Sequence, residues 1–161
     1  MGPGNDAPQP QGGAGYIACI ARVVVGDDVS VSDVWSAAAV GEAISPDGTI
    51  NQIEGGIIQA ISWAPIEEIS FAGGQNLTQN WDDYPILKFS EVPWMQTRLI
   101  GPQDAPPLGA GEISSGRAGA AVVNAVRHVL GVVPDRLPLS RHALVALLSL
   151  RLRPNQYLRF Y

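Results

Sequence analysis

Hydrophobic positions along this chain change their period, and each change marks an element. Tyr16–Val25 (YIACIARVVV) is rich in β-branched residues and ends at Gly26-Asp27-Asp28, which predicts a strand and a turn. Val29–Val40 reads as a second strand, so the two form an expected hairpin. Ser45-Pro46-Asp47-Gly48 reads as a turn. The period then lengthens. Ile53, Ile57, Ala60, Ile61 and Ala64 fall at i, i+4, i+7, i+8 and i+11, the stripe of one helical face. This helix is predicted to begin near Asn51, which with Glu54 has the form of a capping box, and to stop at Pro65.

Ile66–Phe71 and Asn76–Thr78 flank Gly73-Gly74 as a second expected hairpin, and Tyr84–Phe89 and Trp94–Ile100 are further strand candidates. A loop over Pro102–Gly111 ends at Glu112. Ile113–Leu130 then reads as a helix, with Ala118, Val122, Ala125, Val126, Val129 and Leu130 as its buried stripe. Arg117, Asn124, Arg127 and His128 lie on its other side, and Gly131 closes it. Pro138-Leu139-Ser140 starts a last short helix reaching about Leu150. Strands and helices mix without a regular βαβ alternation, so the expected class is α+β.

Composition narrows the picture. A chain of 161 residues, 46% hydrophobic and 16% charged, fits one domain with a real core. Its single cysteine, Cys19, excludes a disulfide framework and a cysteine zinc site, and reads as a small buried hydrophobe. No run approaches the roughly 20 apolar residues of a membrane helix. Residues 1–15 are Pro-, Gly- and Gln-rich and carry no signal-peptide pattern, so they read as a flexible leader. Charge is unevenly spread: residues 1–112 hold 14 acids and 3 bases, residues 113–161 hold 1 acid and 7 bases. Those arginines are scattered and read as a solvated face, not a nucleic-acid surface.

Candidate chemistry concentrates in two places. In the loop 106–112 (PPLGAGE), Gly109 and Gly111 permit positive φ and close approach of a ligand. The following helix start offers unpaired N–H groups, and its dipole favours an ionised Glu112, which suits a general base. The same residues also read as a plain glycine loop with an acidic first-turn residue. The first helix is the second place. Gln52 and Gln59 are seven apart on a face away from the isoleucines. Adjacent Gly55-Gly56 costs roughly 2 kcal/mol of helix propensity, tolerable where another helix or a ligand passes close.

Other signals fall away. A dinucleotide fingerprint fails at Ser114, and a phosphate loop fails because Lys88 is the only lysine. His128 and His142 are 14 apart, outside metal-ligand spacing. Asp82-Asp83 reads as a turn more readily than as a metal pair.

Four ordered segments carry a resemblance: Asn51–Gln59 (NQIEGGIIQ), Asn80–Leu87 (NWDDYPIL), Phe89–Pro93 (FSEVP) and Pro107–Glu112 (PLGAGE). Together they resemble the C-terminal end of molybdenum hydroxylase large subunits, the xanthine dehydrogenase and aldehyde oxidase family. The nearest branch is that of isoquinoline 1-oxidoreductase and nicotinate dehydrogenase. The similarity runs from about Tyr16 to Leu148, leaving residues 149–161 as a basic tail of unassigned role.

The resemblance implies a C-terminal portion of a molybdopterin-binding domain, residues 16–148. It implies molybdopterin with molybdenum, in the cytosine dinucleotide form, and no direct protein ligand to the metal. Carried over, Glu112 is the catalytic base, Gln52 lies near the metal's ligands, and Gly109, Ala110 and Gly111 line the cofactor loop. The implied activity is hydroxylation of N-heterocycles or aldehydes with oxygen from water. The implied partners are the remaining molybdopterin-binding domains and an iron–sulfur subunit, since iron–sulfur or haem centres would lie elsewhere. Family subunits are several times longer, so the chain is expected to be inactive alone and, lacking a signal, cytoplasmic or exported with a partner. A second expectation is a non-catalytic assembly module that keeps the fold.

Overall fold

A computed structural model describes residues 13–151; residues 1–12 and 152–161, which include most of the expected leader and tail, lie outside the described residues. The β-branched run forms β1 (Tyr16–Val25), which pairs antiparallel with β2 (Val29–Ala39), from Tyr16 opposite Ala39 to Val25 opposite Val29. The turn closes where the Gly26 N–H donates to the Asp28 carbonyl at 3.1 Å. The register shifts between Arg22 and Val23, whose partners are Asp33 and Val31, so Ser32 is the extra residue of a bulge.

A third strand, β5 (Trp94–Leu99), lies parallel to β2 and gives the order β1-β2-β5. A parallel neighbour requires a crossover, and the helix α1 (Pro46–Trp63) lies within it. The sequence pattern did not reveal this unit. Strands β2 and β5 are pinned further by a 2.8 Å bond between the Ser36 and Thr97 hydroxyls.

Helix α1 begins before Asn51, and the supposed turn Ser45–Gly48 is its entry. Pro46 occupies a first-turn position, where its fixed φ is already helical and no N–H is wanted. Asn51 and Glu54 therefore sit inside the helix and form no capping box. The predicted stripe holds: Ile53, Ile57, Ala60, Ile61 and Ala64 are at most 1% exposed. Burying each isoleucine contributes about 1.5–3 kcal/mol, so this face anchors the fold.

Helix α2 (Ser115–Leu130) packs beside α1 and under β1, and both helices cover one face of the sheet. It buries Ala118, Val122 and Val126. Gly131 ends it with φ 65°, a left-handed cap. Val129 departs from the expected stripe: it is 56% exposed. The stripe's width exceeds the surface that the described residues supply to cover it.

The small hairpin forms as predicted but shorter, β3 (Phe71–Ala72) against β4 (Gln75–Asn76). Gly73 and Gly74 take φ 58° and 78°, the paired positive values of a tight hairpin turn. Tyr84–Phe89 is not a strand. Its backbone goes to side chains instead: the Leu87 N–H donates to Ser62 Oγ at 2.9 Å and the Lys88 N–H to Glu91 Oε2 at 2.8 Å. A 3₁₀ turn follows at Phe89–Glu91.

The last helix, α3 (Arg141–Arg151), is tethered by the Leu139 N–H, which donates to the Ala64 carbonyl at 2.8 Å. The expected tail therefore starts inside a helix. At the other end, Gly13–Gly15 join the fold, since Gly15 N–H donates to the Gly109 carbonyl and Gly109 N–H to that of Gly13. No described helix is long and apolar enough to cross a membrane.

Candidate functional site

The two places singled out by sequence meet in one cleft. The Gln52 side-chain amide on α1 donates to the Gly111 carbonyl at 3.0 Å, across 59 residues of chain. This bond docks the end of the 106–112 loop on the amide-bearing face of α1. Between them lies a cleft of about 330 Å³, lined by Asn51, Gln52, Gln59, Trp63, Glu112 and Ser115 with the backbone of Gly55, Gly56 and Gly111. Gln52 and Gln59 share it as their seven-residue spacing predicted. Trp63 was missed, although it lies four residues beyond Gln59 on the same face.

The two helix glycines have different roles. A β-carbon on Gly56 would collide with Ser114 Oγ, so this glycine lets the start of α2 approach α1. Gly55 has no heavy atom within 4 Å of where its β-carbon would stand. Gly111 is equally open. Both therefore present bare backbone to the cleft, a cradle that side chains would fill.

The loop itself departs from expectation. Neither Gly109 nor Gly111 has positive φ. Gly109 is held by its ladder with Gly13 and Gly15, and Ala110 packs against the core. Neither lines the cleft. They fix the loop's path and so set where Gly111 and Glu112 stand. Helix α2 starts at Ser115, with Ser114 as its cap position, so Glu112 precedes the first turn and the dipole argument loses most of its force. The Glu112 side chain is exposed and makes no hydrogen bond or ion pair among the described residues. Ser114, fully buried, has a hydroxyl with no hydrogen-bond partner among the described residues.

The other candidates stay apart from the cleft. His128 lies on the far side of α2, Cys19 is half-buried on β1, and Asp82 and Asp83 form a turn around the Asn80 side chain. Among the described residues, no three His, Cys, Asp or Glu side chains gather to hold a metal ion.

Amide side chains, open glycine backbone and an exposed carboxylate line a cleft suited to a polar, hydrogen-bonding ligand. Comparison with known proteins identifies the family. Residues 3–93 match the family model described as molybdopterin cofactor-binding domain, and the chain belongs to that family. The match includes α1 with Gln52 and ends before the 106–112 loop.

A nicotinate dehydrogenase subunit of Pseudomonas putida is 32% identical over 143 residues, which cover 87% of this chain and 12% of that protein. An isoquinoline 1-oxidoreductase subunit of Brevundimonas diminuta is 38% identical over 111 residues, 69% of this chain and 14% of that one. The crystal structure of quinoline 2-oxidoreductase from Pseudomonas putida 86 superposes with a TM-score of 0.65 at 30% identity, covering 75% of this chain and 16% of that one. The chain thus spans less than one fifth of the relatives it matches.

Proposed function

We propose that this chain supplies one wall of the molybdopterin site in a molybdenum-dependent oxidoreductase acting on N-heterocycles or aldehydes, with Glu112 as its base. The observation that carries the reading is the Gln52–Gly111 bond, which sets an amide-lined helix face and a free carboxylate on opposite rims of one cleft. When bound, a molybdenum–pterin group supplies two-electron oxidation with oxygen taken from water.

In this reading the chain's own residues bind and position. The Gln59 amide and the second N–H of Gln52 offer donors, and the bare backbone of Gly55 and Gly111 allows close contact with a planar ring edge. Gly109 and Ala110 fix the path of the loop that brings Gly111 and Glu112 to the cleft. The exposed Glu112 carboxylate accepts a proton from the reacting water-derived oxygen, a role that needs a carboxylate free of competing partners. The same proposal includes the cytosine dinucleotide form of the cofactor and a separate iron–sulfur partner. Relatives that are themselves named as subunits support the presence of a separate partner.

The test is to co-produce the chain with the remaining molybdopterin-binding segment from its host and measure molybdenum and pterin in the purified complex. Near-stoichiometric content, lowered at least tenfold by Gln52→Ala together with Gln59→Ala, is the expected result. Unchanged content in that double variant overturns the proposal.

A further inference from the structure

A second cleft, of about 450 Å³, lies on the other side of α2 and belongs to no part of the proposed cofactor wall. Its lining has a definite pattern. Five consecutive residues of β1, 19–23, face it, together with Ala121, Asn124, Ala125, His128 and Val129 of α2. Positions i, i+3, i+4, i+7 and i+8 are one stripe of a helix. Consecutive residues of a strand point to alternate faces, so a cleft that meets all five looks onto the strand's edge.

That edge is open. β1 is the end strand of the order β1-β2-β5, and no described strand pairs with its far side. It is ten residues long and carries Tyr16, Ile20 and Val24 at 75, 68 and 57% exposure. A long, apolar, unpaired edge is a template for another strand. Val129, the α2 position expected to be buried and found 56% exposed, stands beside it. Without an occupant the α2 stripe is left uncovered at this point.

We propose that this groove receives a β-strand from the rest of the molybdopterin-binding subunit, added to the free edge of β1 and seated on α2. The inference rests on the proposed function for the identity of the partner. Missing length argues for that occupant: the matched relatives carry more than four fifths of their chain outside the segment this protein spans. Charge sets its chemistry. Arg22 is the one charged residue among the groove's lining residues and none of them is acidic, and Arg117 acts electrostatically on Cys19. Arg22 pairs with Asp33, whereas Arg117 and Arg127 have no ion pair among the described residues. The incoming strand therefore alternates apolar residues, which meet Val129 and Cys19, with acidic ones. Its length is about five residues, or roughly 16 Å, matching the run of β1 that faces the cleft.

Cys19 is the only cysteine and lines the groove, so it reports occupancy. The 161-residue chain is co-produced with the remaining subunit, and maleimide labelling of Cys19 and amide hydrogen exchange are compared in the free chain and the complex. The expected result is at least tenfold slower labelling in the complex, with new protection at 19–23 and 121–129. Val129→Glu, at an exposed site, is expected to weaken association at least tenfold while leaving the thermal unfolding of the free chain unchanged. A complex that leaves Cys19 labelling and the 19–23 amides unchanged overturns the proposal, as does failure to associate. Protection in the free chain accompanied by a doubled mass would make the occupant a second copy and also overturns it. A complex with the edge protected but without pterin upholds this docking and contradicts the proposed function instead.

Discussion

Gly56 and Ser114 occupy one another's space: any β-carbon at 56 would overlap the Ser114 hydroxyl. The contact decides how closely α1 and the start of α2 approach, and hence where the loop ending at Glu112 stands. Gly56→Ala is therefore expected to destabilise the chain by about 1–3 kcal/mol from overpacking, partly offset by about 1 kcal/mol of helix propensity. Ser114→Ala removes a buried hydroxyl that has no partner and should be neutral or stabilising. In the double variant most of the cost of Gly56→Ala should vanish, because the Ser114 β-carbon is 3.6 Å from the built atom and the closest remaining group is the Ser115 hydroxyl at 3.3 Å, which a small rotation relieves. Denaturant unfolding of the four proteins in a double-mutant cycle checks this.

Gly55 sits one residue away with the opposite expectation. Its β-carbon position is open, so Gly55→Ala should raise stability by about 0.5–1 kcal/mol. The new methyl group enters the cleft, so cofactor retention in the complex should fall. A rise in unfolding midpoint paired with lower pterin content is the expected signature.

Gln52 ties the loop to α1 through one partly solvated bond. Removing it with Gln52→Ala should cost only about 0.5–1.5 kcal/mol globally. Locally the effect should be larger, with faster amide exchange over 110–113 and unchanged exchange in β1 and β2.

The Tyr84 hydroxyl donates to Glu67 Oε2 at 2.6 Å, and this bond to the carboxylate holds the phenol above its ordinary value of 10.0. A phenol raised in the folded state contributes stability that is complete below its unfolded value. That stability is lost as pH rises through the folded value. Ultraviolet titration, with Tyr84→Phe as the reference, should place Tyr84 above its ordinary value, and Glu67→Gln should bring it back toward that value.

Much of this architecture was legible because it is local. The β-branched run 16–25, the isoleucine stripe of α1 and the spacing of Gln52 and Gln59 each follow from period alone. The entry of α1 was misread because Ser45-Pro46-Asp47-Gly48 carries turn residues that serve equally as a helix start. Parallel pairing of β2 with β5 is non-local, and no pattern within either strand specifies its neighbour. The loop glycines at 109 and 111 suggested special backbone angles. Their use is different: one joins a ladder with Gly13 and Gly15, the other leaves open space at the cleft. Val129 was misplaced for a physical reason too, since the described residues supply no surface to cover that end of the stripe.

Glu112 stands as the proposed base of this site, and its exchange for glutamine decides that role. The complex with the remaining subunit is purified with wild-type chain and with Glu112→Gln, and turnover of an N-heterocycle or aldehyde is measured at equal pterin and molybdenum content. The rate is expected to fall roughly 10²–10⁴-fold with the content unchanged. An equal rate in the two complexes would contradict it.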